Sequence, residues 1–153
     1  MNEYEEKLKY FMHEHKIQGE HLSFSGSCHS VADAALAVNT TPDNFVKSIC
    51  LMSSVGLIVA VVKGEDRVST TLVGQVLEIM RPRVATPEEI LDLTGYPCGG
   101  TPSFGYPAVF LVDSRVLEKE TVYMGGGSQN SLVRISTSEL ARANLAKIVD
   151  IRK

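Results

Sequence analysis

The chain has 153 residues, 44% of them hydrophobic and 22% charged, with a formal net charge of −3. That is enough for one domain with a real core, and too acidic for a global attraction to nucleic acid, so any such contact needs a local patch. No apolar run reaches the ~18 residues of a membrane span, and no signal-peptide pattern opens the chain. The expectation is a single cytoplasmic domain over residues 1–153, with no membrane partner. The three cysteines (28, 50 and 98) form no CxxC pair and read as reduced thiols.

Residues 3–17 place Tyr4, Leu8, Phe11 and Met12 on one helical face, with charges elsewhere. HLSFSGSCHS reads as a short strand and turn, and Ser30 is placed to cap a helix through VADAALAV. Thr41 and Pro42 have the pattern of a cap and first helical residue. The runs FVKSICLMSS and VGLIVAVVKG, rich in Val and Ile, predict a buried hairpin turning at Ser54 to Gly56. STTLVGQVLEIM has helical spacing at Leu72, Val73, Val76, Leu77 and Met80. TPEEILDLTG carries a full set of signals: Thr86 as cap, Pro87, Glu89 at the third position and a closing Gly95. AVFLVD, TVYMGG and LVRIS then read as strands, STSELARAN as a capped helix and KIVDI as a last strand. The interleaving predicts an α/β fold with mixed strand directions, without repeats or linkers.

Familiar catalytic motifs are absent: no P-loop, GxSxG or HExxH occurs. All four histidines (13, 15, 21 and 29) lie in the first 29 residues, and His13 and His15 face different sides of a helix, so they read as surface residues rather than metal ligands. Lys47 stands out. Strand alternation puts it on the face of Ile49 and Leu51, where a lysine either snorkels or serves as a cation in a pocket. The stretch GYPCGGTPSFGYP, residues 95–107, spends four glycines and three prolines in thirteen residues. Gly99 and Gly100 can offer main-chain N–H groups to an oxygen, and Pro102 and Pro107 would hold them in place. A Cβ on Gly100 is expected to stand where a ligand approaches. GGGSQN supplies a second glycine-lined turn, and tight turns without a ligand are the plainer reading of each loop.

These segments, NFVKSICLM, ILDLTGYPCGGTPSFGYPAVFLVD and VYMGGGSQNSLVRISTSEL, occur in the order seen in the YbaK/ProX family of free-standing aminoacyl-tRNA deacylases. SVADAALAV also resembles the family's early helix, so the resemblance covers roughly residues 22–150. It implies a mixed, barrel-like β-sheet core flanked by helices, and hydrolysis of the ester joining a wrong amino acid to tRNA. Carried over, the pocket lysine is Lys47, with Gly100 as the loop donor beside it. The substrate loop is Gly99, Thr101, Pro102, Phe104 and Gly105, and the second wall is Gly126, Gly127 and Ser128. Ser128 stands where family members often carry a basic residue. Mischarged tRNA is the implied partner, with small amino acids such as Ala, Ser or Cys on tRNA for proline, and a synthetase as a possible further partner. Neither metal nor other cofactor is implied.

Two rivals remain at this level. One is a module of the same fold that holds aminoacyl-tRNA or a synthetase without turnover. The other is a hydrolase built on Cys98, which has no histidine beside it in sequence. Lys63, Arg67, Arg81 and Arg83 are candidate phosphate contacts, against the plainer reading of scattered solvated charges.

Overall fold

The structure is a computed structural model that describes residues 2–24 and 31–153; the Ser30 cap, Cys28 and His29 lie outside them. Its elements are α1 (Glu3–Glu14), β1 (Gly19–Ser23), α2 (Val31–Ala37), β2 (Val46–Ser53), β3 (Gly56–Lys63), α3 (Thr70–Leu77), β4 (Arg83–Val84), α4 (Pro87–Thr94), β5 (Val109–Asp113), β6 (Thr121–Gly125), β7 (Ser131–Ser136), α5 (Thr137–Asn144) and β8 (Lys147–Val149).

The strands form two sheets. One is antiparallel, ordered β1-β7-β6. The other is mixed, ordered β4-β2-β3-β5-β8, with antiparallel pairs around β2 and parallel pairs β3–β5 and β5–β8. A parallel pair needs a long crossover, which here contains α3, β4, α4 and the 95–107 loop. Outside the named strands, one bridge, Phe45 to Tyr123, joins the two sheets. No closed ring of strands forms among the described residues, so the expected barrel-like core is two open sheets packed around shared side chains.

The main core lies where α1 and α5 meet both sheets. Leu8 and Met12 of α1 are buried there with Val59, Val61, Met124 and Val133. Each buried side chain of this size contributes roughly 1.5–3 kcal/mol. A second core under α3 holds Leu51, Ile58, Ala60, Val62 and Val73. With both faces covered, β3 is buried at every position from Leu57 to Lys63, which explains its unbroken apolar run.

Local signals held where nothing distant competed. Thr86 and Glu89 close the capping box and Gly95 ends α4 at φ 79°. Elsewhere tertiary structure intervened. The helix expected to run on to Met80 stops at Leu77, because Glu78 turns left-handed at φ 55°. The chain then folds back over Gly74, whose missing Cβ would lie 3.2 Å from Arg81 Cα and Ile79 O, leaving Met80 81% exposed. Thr41 and Pro42 take the expected N-cap and first positions, but of a single 3₁₀ turn, Pro42–Asn44, and the Thr41 hydroxyl bonds Asp43 instead of a main-chain N–H.

Candidate active site

The site begins at an unfinished strand edge. β2 pairs with β3 along its length, but on its other side β4 reaches only Leu51 and Met52. Phe45 O accepts from Gly64 N–H toward β3 (2.7 Å), while Cys50 O accepts from Ala85 N–H on the opposite side (2.9 Å). Alternation in an antiparallel ladder therefore turns the main-chain N–H and C=O of Ser48 to the open edge. A cavity of about 280 Å³ covers this edge. Phe45, Ile49, Ile90, Met124 and Leu132 make its apolar walls, and Lys47, Thr101, Gln129 and Ser131 bring polar groups. None of its described lining residues is a histidine or a carboxylate.

Lys47 is half-buried on the strand face of Ile49 and Leu51, as alternation predicts. It makes no hydrogen bond or ion pair among the described residues. Burial foremost, then the positive charge of Arg67, pushes its pKa below the ordinary lysine value, against the opposing pull of Asp66. Asp66 is itself committed to Arg115 at 2.6 Å. The result is an unneutralised ammonium held at a cavity wall.

The 95–107 loop is tied down along its length. Thr101 Oγ1 donates to Pro97 O (3.0 Å), Asn144 Nδ2 to Ser103 O (3.0 Å) and Tyr106 OH to Pro102 O (2.6 Å). Ser103 Oγ also meets Ser48 Oγ at 2.8 Å, fastening the loop to β2. Gly99 and Thr101 line the cavity beside Lys47, and their N–H groups have no acceptor among the described residues. Gly100 behaves differently from expectation. Its N–H is spent on Pro97 O (3.1 Å), its carbonyl accepts from Gly127 N–H (2.8 Å), and a Cβ there would meet the Ser128 backbone at 2.6–2.8 Å. Glycine is required at this position because two loops touch. Pro102 and Phe104 are buried, and Phe104 lies 6.1 Å from Phe11 in a stacked arrangement. Gly105 turns the chain at φ 102°. These three support the loop and do not line the cavity.

The second glycine turn stands behind the cavity. A Cβ on Gly126 would meet Leu132 N at 2.6 Å, and one on Gly127 would meet Tyr4 O at 2.8 Å. Ser128 is turned inward, donating to Glu5 Oε2 (2.8 Å) and sharing a hydrogen bond with Ser131 Oγ (2.8 Å). Glu5 is 5% exposed. Burial alone would raise its pKa, but the hydroxyls of Ser23 and Ser128, helped by His21 and Lys9, bring it below the ordinary glutamate value. His21 Nε2–H donates to Gly126 O (2.8 Å) from the same side. Thus α1, undiagnostic in sequence, is the anchor of this wall. Ser131 carries the network to the cavity.

Cys98 is exposed and lines the cavity. Beneath it Cys50 is buried, its thiol pushed up to about 11 by burial first and by Cys98 second. Of the lining residues the sequence singles out Lys47, Cys98, Gly99 and Thr101; Gln129, Ser131, Met124 and Leu132 are among those it does not. Met124 was accessible in principle, since alternation in TVYMG pairs it with the inward Val122; Gln129 and Ser131 carry no local signal.

An unpaired lysine, open main-chain donors and a small apolar chamber thus meet on a two-sheet α/β scaffold. The model of the aminoacyl-tRNA editing domain matches residues 25–143, and the chain belongs to that YbaK-like family. The Bacillus subtilis (strain 168) protein YwhH is 25% identical over 134 residues, 85% of each chain. Among solved structures, hypothetical protein APE2540 is 27% identical, with a TM-score of 0.88 over 96% of this chain and 99% of that one. A protein described as a candidate trans-editing enzyme for prolyl-tRNA synthetase shares the fold, with a TM-score of 0.94, 24% identity, and 100% and 99% coverage.

Proposed function

We propose that this domain deacylates mischarged tRNA in trans, hydrolysing the ester between a small amino acid and the 3′ adenosine. The observation that carries the reading is the Lys47 cavity. Its 280 Å³ equals roughly nine waters at about 30 Å³ each, room for a small aminoacyl group and its attacking water. The ester is already activated, so positioning and stabilisation of the developing oxyanion suffice. Lys47 would meet that charge together with the free N–H groups of Gly99, Thr101 or Ser48, while the vicinal ribose hydroxyl assists water. Apolar walls at Ile49, Ile90 and Met124 would admit alanine, serine or cysteine and turn away larger side chains by shape. Shape exclusion is the effective sieve, because a methylene is worth only about 1–3 kcal/mol.

The resemblance points to tRNA for proline, and alanyl-, seryl- and cysteinyl-tRNA for proline are the substrates to test first. Turnover of at least one by the wild type, with Lys47→Ala folded and slowed about 10²–10³-fold, is the expected result. Binding of all three without turnover would instead identify a non-catalytic module of the same fold.

A further inference from the structure

We infer that Arg67 holds a backbone phosphate of the RNA strand whose 3′ ester enters the Lys47 cavity; this rests on the deacylase reading above. Of the four cations singled out in the sequence, three are already occupied. Lys63 is 4% exposed and 3.4 Å from Glu65. Arg83 forks onto both oxygens of Glu89 at 2.8 and 2.7 Å. Arg81 donates through Nε to Thr70 Oγ1 at 2.7 Å. Arg67 is exposed, and its side chain has neither a hydrogen bond nor an ion pair among the described residues.

Its acidic neighbours are engaged with other cations. Asp66 is engaged with Arg115 at 2.6 Å, and Glu65 lies between Lys63 and Arg115 at 3.4 and 3.8 Å. The first turn of α3, which follows, contains no acid. The main chain around Arg67 is fixed from both sides. Gly64 N–H is hydrogen-bonded to Phe45 O, at the start of the strand carrying Lys47. Arg67 O accepts from Lys153 N–H at 2.8 Å, and Val68 bridges to Arg152. An unspent guanidinium thus extends from a fixed stretch of main chain, three residues after the Gly64 that is tied to Phe45 at the cavity's edge. Its charge reaches Lys47, where it contributes to the lowered lysine pKa. In an aminoacylated RNA the phosphate 5′ to the terminal adenosine lies one ribose from the ester. Arg suits it, because its planar fork meets phosphate oxygens in pairs.

The test compares Arg67→Ala and Arg67→Lys on two substrates with the same amino acid, an aminoacylated acceptor-stem minihelix and phosphate-free 3′-aminoacyl-adenosine. On the minihelix Arg67→Ala should raise KM about three- to fivefold at low salt with kcat unchanged. The slope of log affinity against log salt should fall by about 0.7, one phosphate's worth on a single strand. Arg67→Lys should keep most of the slope, and the adenosine ester should be cleaved within about twofold of wild type by both variants. Equal losses on both substrates would mean that Arg67 acts through Lys47, and would overturn the proposal. Titration of the uncharged minihelix by fluorescence anisotropy reads the same slope without turnover. An unchanged slope there also overturns the proposal. A reduced slope in a protein that hydrolyses nothing supports Arg67 and sinks the deacylase reading instead.

Discussion

Gly100→Ala tests whether the two glycine loops are built for each other. The added Cβ would sit 2.6 Å from Ser128 C, 2.7 Å from its Cα and 2.8 Å from its N, where ordinary contact begins at 3.4 Å. Main-chain atoms cannot rotate aside as a side-chain tip can, so the loops must part by about 0.6–0.8 Å. Overpacking of this kind costs about 1–3 kcal/mol. Separation also strains the Gly127 N–H to Gly100 O hydrogen bond of 2.8 Å, worth about 0.5–1.5 kcal/mol. The expected loss is therefore about 2–4 kcal/mol, or about 5–15 °C in melting temperature for a domain of this size. Circular dichroism through thermal and urea unfolding measures it, and deacylation at a temperature where the variant stays folded measures the site. Activity should fall too, because Gly99 and Thr101 move with Gly100. A variant that melts with wild type yet binds no substrate would refute this reasoning, since its Cβ would then be meeting the ligand and not Ser128.

Other outcomes follow from the same geometry. The Lys47 pKa is lowered from 10.5, by burial first and Arg67 second. The folded protein thus releases that proton at lower pH than the unfolded chain, so the cost of charging Lys47 is fully present below its folded pKa and fades as pH rises toward 10.5. Lys47→Met should accordingly be at least as stable as wild type at pH 7, with its advantage shrinking at alkaline pH; a urea midpoint below wild type at pH 7 would make the ammonium a structural ion. Cys98→Ser and Cys98→Ala should each keep deacylation within about tenfold, about 1.4 kcal/mol of barrier, because among the described residues no histidine or carboxylate lines the cavity to activate the thiol. A thioester trapped on Cys98, or loss of all turnover in both variants, would make it the nucleophile.

Much of this protein is decided within a few residues of chain. The Thr86–Glu89 box, the Gly95 stop and the β2–β3 hairpin formed as read, because caps and strand alternation depend on neighbours three or four positions away. Alternation also placed Lys47 on the correct strand face, and the order of the glycine-rich segments marked the family. Tertiary structure decided the rest. The cavity exists because β4 is too short to cover the edge of β2, a length no local pattern specifies. Ser128, expected to face substrate, bonds instead to Glu5, 123 positions away. Gly100 is a glycine because of Ser128, and its N–H is taken by Pro97. Which of four similar cations remains free depended on where Glu65, Thr70 and Glu89 came to rest. Composition and periodicity report how a residue suits its own segment; which partner consumes its hydrogen bonds or charge is settled only when distant segments compete for the same space.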